Sequence, residues 1–309
     1  MKSHPWSRIP LLAAAVFALA SCGKTSSLQS PAAGGGTPAE SNEAQIARAL
    51  QEAPDFVQED LTSSSLPLVD EASGGFAAIE PLRFWREIRN VQTELQTEFL
   101  NPDANGRPLL AIVTIHRALS GTFNIAAREI TGPDTTIALV RKPLADDWTR
   151  RIALIRRPIP NDTGLTRWRL AGTSGVDVRT RDGVTRLLSL RIEAPGVDTT
   201  ITDPLELHRL RRILRIADDV AVKLTATTLA PDDVVLFHGR DLRRRFVNNG
   251  DGTHTFMFRS GQFQGLRHFG VDALSHGTLF DDTAAYDSNA WVFPYAVVAV
   301  LMPSDDGGR

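Results

Sequence analysis

Arginine is the residue best supplied to do chemistry in this sequence, and it comes in groups. Arg150 and Arg151, Arg156 and Arg157, Arg211 and Arg212 with Arg215, and the run Arg243, Arg244 and Arg245 all fall in short stretches. A guanidinium presents a planar fork of donors that matches phosphate and carboxylate, so the groups could together hold a lipid headgroup or an acidic glycan. Asp146, Asp147, Asp218, Asp219 and Asp241 lie close in the chain and could neutralise them in ordinary ion pairs instead. The candidate anion-binding set is Arg150, Arg151, Arg156, Arg157, Arg211, Arg212 and Arg215.

Other constellations carry less. Asp281, Asp282 and Asp287 with His268, Asp272 and His276 form an oxygen-rich neighbourhood, but Asx turns explain such residues and no metal site is assigned. Asn248 to Thr253 does not reproduce the spacing of a calcium-binding EF-hand loop, and its Asp251-Gly252 pair predicts a tight hairpin turn. The sequence contains no nucleophile elbow, zinc-protease helix motif, phosphate-binding loop or dinucleotide fingerprint, so no catalytic residue and no cofactor are nominated. His116, His208 and His238 read as structural residues. Trp148, Trp168, Trp291, Phe293 and Tyr295 would make a sugar- or peptide-binding platform if exposed, whereas aromatic side chains in strands usually belong to a core.

Lys2 and Arg8 precede an apolar run from Ile9 to Ala20, and small residues lead to Cys22, the one cysteine in 309 residues. A hydrocarbon core needs about 20 apolar residues, so this run suits the apolar region of an export signal rather than a membrane span. Leu19-Ala20-Ser21-Cys22 resembles the lipobox of bacterial lipoproteins. The resemblance implies a signal peptide over 1–21, acylation of Cys22 as the attachment to a lipid bilayer, and a tether over 22–41. Gly23 is not the aspartate that retains many such proteins at the inner membrane, which implies transfer to an outer membrane, facing the periplasm or the cell surface. With Cys22 acylated, no thiol is left for a disulfide or a thiolate site. Gly23 to Glu40 is small and polar enough to read as a flexible spacer.

The remainder must position any site. Of the charged residues, 34 are Lys or Arg and 36 are Asp or Glu, a net charge of -2 that offers no field for nucleic acid. Asn42 with Gln45 predicts a capped helix from about Glu43 to Gln51, and residues 42–75 read as a short helix and connector. Phe84 to Phe99 suits a helix or a long strand, with strand slightly favoured, and Leu109 to Ile125 is strand-like with a bend at Ser120-Gly121. Residues 76–180 are expected to form a sheet-rich α+β domain, cystatin-like, NTF2-like or a small β-barrel. Residues 181–309 carry six or more short strands and look similar to the immunoglobulin-like modules of bacterial surface proteins. Asp203, Pro204 and Glu206 predict a helix start there, with Leu207, Leu210 and Leu214 on its apolar face. The expected class is mainly β with minor helix, as two antiparallel-sheet domains, the second an immunoglobulin-like β-sandwich. The expected role is a non-enzymatic, membrane-anchored envelope protein that interacts or supports; the alternatives are a glycan- or anion-binding module and a cryptic hydrolase.

Overall fold

A computed structural model describes residues 40–56, 79–131, 134–158, 166–239 and 242–299. The leader, Cys22, the spacer and most of the connector lie outside the described residues. Helix α1 (Asn42–Gln51) starts one residue earlier than its pattern predicts, because Ser41 is the N-cap and accepts from Ala44 N at 3.2 Å. Ile46, Ala49 and Leu50 bury its apolar face.

Four long strands follow: β1 (Ile79–Pro102), β2 (Pro108–Thr131), β3 (Asp134–Pro158) and β4 (Thr166–Thr180). The ambiguous stretch around Phe84 is therefore strand, and β1 to β3 are each roughly 80 Å of extended chain at about 3.4 Å per residue. Asp103 turns β1 into β2 by accepting from the backbone N–H groups of Asn105 and Arg107, both at 2.9 Å. Gly121 sits where a Cβ would stand 1.9 Å from the carbonyl oxygen of Glu87, so this position in β2 admits only glycine. The register shift between Ile88 and Asn90 falls opposite it, a bulge at the predicted bend.

The rest of the chain supplies β5 (Leu187–Ala194), β6 (Val197–Ile201), β7 (His208–Arg209), β8 (Leu214–Ala217), β9 (Ala221–Thr228), β10 (Val234–His238), β11 (Arg243–Arg245), β12 (Val247–Asn248), β13 (Thr253–Arg259), β14 (Gly265–Leu274), helix α2 (His276–Phe280) and β15 (Ser288–Val298). The fold is mostly β in two sheets, as expected, with every pairing antiparallel except that of β8 with β15. The larger sheet has ten strands in the order β1-β2-β3-β4-β15-β14-β10-β11, with β7 on β4 and β8 on β15; the smaller runs β12-β13-β9-β5-β6.

The immunoglobulin-like β-sandwich is corrected. Both sheets are open, the larger passes directly from β15 to β4 and on to the long β1–β3 meander, and β8 pairs parallel to β15. Strand count and spacing carry no information about which strands pair. What decides it is β15, buried without a break from Ser288 to Tyr295, which makes it a central strand covered on both faces. The small β-barrel fails for the same reason, since neither sheet closes.

The helix expected at Asp203 is also absent. Asp203 Oδ1 accepts from Leu205 N at 2.8 Å in an Asx turn, and the chain then gives β7, a single 3-10 turn over Leu210–Arg212 and β8. Pairing β8 with β15 buries Ile216 completely, a gain that outweighs the local start signal. The hairpin turn at Asp251-Gly252 is present between β12 and β13, with Gly250 and Gly252 at φ 83° and 84°.

Candidate functional site

The pleat of a strand sends successive side chains to opposite faces, and this disperses the arginine groups. Arg150 is fully buried and donates to the Phe56 carbonyl, while Arg156 donates to Asn42 Oδ1 and lies over the Trp168 ring at 5.0 Å. Asn42, read as a cap, is thus a receptor for Arg156. Arg151 is half-buried. Arg157 and Arg211 line a cavity of about 790 Å³ beside Leu110, Ile155 and Leu170, whereas Arg212 lines a different one of about 400 Å³ and Arg215 stands exposed on β8. Among the described cavities, Arg157 and Arg211 are the two of the seven that share one.

The other candidates resolve as structural. Trp148, Trp168, Trp291, Phe293 and Tyr295 are all buried, so none forms a platform. His116 Nδ1 lies 3.2 Å from Thr149 Oγ1, and exposed His208 sits in β7. Asp281 Oδ1 accepts from Thr283 N at 2.8 Å and Thr283 Oγ1 at 2.7 Å, and Asp287 Oδ2 accepts from the N–H groups of Val184 and Thr185, both at 3.0 Å. These are loop hydrogen bonds, and among the described residues no group of three or more His, Cys, Asp or Glu could hold a metal.

Two constellations were not legible in the sequence. The first is a buried polar network where β1, β10, β14 and β15 meet. Arg86 grips Asp272 through two bonds, Nη1 to Oδ2 at 2.7 Å and Nη2 to Oδ1 at 3.1 Å, and donates from Nε to the Tyr286 hydroxyl at 2.8 Å. Tyr286 donates in turn to Asp146 Oδ2 at 2.9 Å, while Thr180 donates to Asp146 Oδ1 at 3.0 Å. His238 Nε2 stands 3.4 Å from Asp272 Oδ2, and the Arg243 guanidinium lies 3.6 Å from the centre of the Phe84 ring. Burial works against the Asp272 carboxylate, but Arg86 outweighs it and holds the carboxyl well below the usual range. Burial pushes the Tyr286 hydroxyl far up, keeps His238 neutral by lowering its pKa, and brings Arg243 down to about 9. The network has the charges of an active site, but its groups are buried: Asp272 is fully covered, and His238 and Asp146 are each 1 % exposed.

The second is a cleft of about 610 Å³ at the mouth between the two sheets. Its floor is aromatic: Phe237 of β10 stacks on Phe256 at 4.7 Å and meets Phe258 of β13 at 4.8 Å between ring centres, with Tyr295 of β15 behind. Arg244, Arg259 and Arg267 stand round it with His268. Arg259 Nη1 donates to the Asp219 carbonyl at 2.8 Å and to its carboxylate Oδ1 at 3.2 Å, an ion pair an anionic ligand must compete with, and Arg267 Nη2 donates to the Phe263 carbonyl at 3.3 Å. Burial raises the Tyr295 pKa, so its hydroxyl remains neutral. Met257 and Phe263 are 64 % and 76 % exposed, which leaves large apolar side chains in water near a cationic rim. The signal available in sequence was the alternation around Arg244 and Phe256, but the three arginines come from three strands and converge only when the sheets pack.

No family model, no curated protein and no solved structure matches the chain. The lipoprotein resemblance and the envelope terms that went with it are accordingly corrected: nothing matched supports that family, and Cys22 lies outside the described residues. Among the described residues no helix is long and apolar enough to cross a membrane.

Proposed function

We propose that the protein is a non-enzymatic binding protein that takes an amphiphilic anion in the cleft between β13 and the β10–β14 pair. One observation carries the reading: Arg244, Arg259 and Arg267 surround a floor built from Phe237, Phe256 and Phe258. Guanidiniums recognise phosphate or carboxylate, and an aromatic floor shields an alkyl or aryl body from water. A hydrolase reading would rest on Glu94 and Asp147, which line a cavity of about 510 Å³ with His116, but Asp147 is held by Arg181 at 3.0 Å and Glu94 by Gln96 at 3.1 Å, while Asp146, Asp177 and Asp272 are buried. Titration calorimetry with dodecyl phosphate, inorganic phosphate and dodecyl maltoside tests it. Dodecyl phosphate should bind at least about tenfold more tightly than either control, since a charge-assisted hydrogen bond contributes about 1.5–3 kcal/mol. Equal binding of the maltoside would remove the anion from the proposal.

We infer the place of action from the leader alone: export from the cytoplasm. Lys2, Arg8 and the apolar run to Ala20 support it. Mass spectrometry of the mature protein decides, because a retained leader removes export.

A further inference from the structure

Strand β1 ends the order of the larger sheet, with β2 on one side and no strand on the other among the described residues. From Arg89 to Glu98 every residue is exposed, although β1 has 24 residues and the strand beside it buries Val113, Ile115 and Leu119. Val91 and Leu95, 50 % and 46 % exposed, stand opposite Leu119 and Ile115, which belong to the core beneath α1. A long edge with a row of backbone donors and acceptors and apolar side chains on its inner face is a template for another strand.

We propose that the partner is a second copy of this chain, paired antiparallel through β1 about a two-fold axis at Thr93. The register follows from parity and charge. Two copies joined edge to edge keep their faces aligned only if each pair of opposed residues has numbers of the same parity. Two such registers overlap nearly the whole exposed stretch. Centring on Glu94 sets two carboxylates directly against each other, which destabilises the pair. Centring on Thr93 places Val91 against Leu95 in both copies, Gln92 against Glu94 and Asn90 against Gln96, with no like charges directly opposed. It continues the apolar face of Leu119 and Ile115 from one copy into the other. The merged sheet has lost both β1 edges.

The test uses the full chain with Cys22→Ser. Thr93→Cys should form a disulfide-linked dimer under mild oxidation, because directly opposed residues have Cα atoms about 4.5–5.5 Å apart. Gln96→Cys would face Asn90 of the other copy and stand about 20 Å from its own counterpart, so its cross-linking should be at least about tenfold weaker. Val91→Lys with Leu95→Lys, exposed positions that leave the fold intact by circular dichroism, should convert the dimer to monomer in sedimentation. A chain that sediments as a monomer at every attainable concentration overturns the proposal, as does equal cross-linking at positions 93 and 96.

Discussion

Arg243 and Arg244 are neighbours on β11 and have opposite lives. Arg243 pairs in register with His238 and points to the interior, over the Phe84 ring, while Arg244 pairs with Phe237 and stands at the rim of the cleft. The same pleat divides β14, where Asp272 belongs to the charged interior and Val271 to the apolar core between the sheets. One face of the β10–β14 pair therefore holds the polar network, and the other the cleft. The difference teaches that charge is a poor guide to function here: the stronger electrostatics lie among buried groups, and the cleft has the weaker, accessible charges. Each substitution below should move one of the two and leave the other.

The largest effect is expected at Asp272. Asp272→Ala leaves Arg86 buried without the carboxylate that compensates it, and removing one member of a buried pair costs about 3–5 kcal/mol. Urea unfolding should show that loss, or no folded protein at all. The double replacement Arg86→Met with Asp272→Leu should recover much of it, since neither charge then needs a partner. If the single variant loses less than about 1 kcal/mol, the interior pair is not the strut that its geometry implies.

Acidity should separate the regions next. Burial raises the Asp233 pKa from 3.8 to about 7, with the charges of Asp232 and Asp287 adding to it, and Asp233 is 2 % exposed. Between those values the folded state holds a proton that the unfolded chain has released. The stability this group contributes is therefore full below about pH 4 and lost as the pH rises through 7. Asp272, held low, works the other way, its contribution being present above the ordinary carboxylate range and lost in stronger acid. Asp233→Asn should melt above the parent at pH 8 and with it near pH 4, and the difference between the two isolates this residue. A constant difference across that range would show that Asp233 is ionised in the fold.

The strands themselves were legible: the strand-like run from Leu109 to Ile125 lies within β2, because alternation and β-branched content are local properties. Pairing is not local. Nothing near Val176 says that it will lie beside Val292, yet that register joins the two halves of the chain into one sheet. The Asp203 error has the same source, since Asp-Pro with a following glutamate is a sound helix start until β8 finds β15. Of the anion set, Arg157 and Arg211 line one cavity, while arginines adjacent in a strand, such as Arg150 and Arg151, are sent to opposite faces. Arg86 and Asp272, separated by 186 positions, offered no spacing to notice.

The smallest effect on stability, and the sharpest on binding, should come from Arg244→Gln. Its side chain is exposed on a three-residue strand, so the substitution should change unfolding free energy by no more than about 0.5 kcal/mol. Affinity for dodecyl phosphate should nonetheless fall several-fold to tenfold, because one charge-assisted bond to the head is lost while the phenyl floor is kept. The remaining affinity should also depend less on salt, since an exposed cation acts through a field that ions screen within about 10 Å at 0.1 M. Affinity for a long-chain alcohol of equal length should not change, as it rests on Phe237, Phe256 and Phe258 alone. Arg243→Gln reverses this pattern: the buried neighbour should cost stability and leave the salt dependence of binding untouched. If Arg244→Gln and Arg267→Gln both bind dodecyl phosphate as the parent does, the guanidiniums do not read the ligand, and the contrast between the two faces of β11 reduces to one of burial.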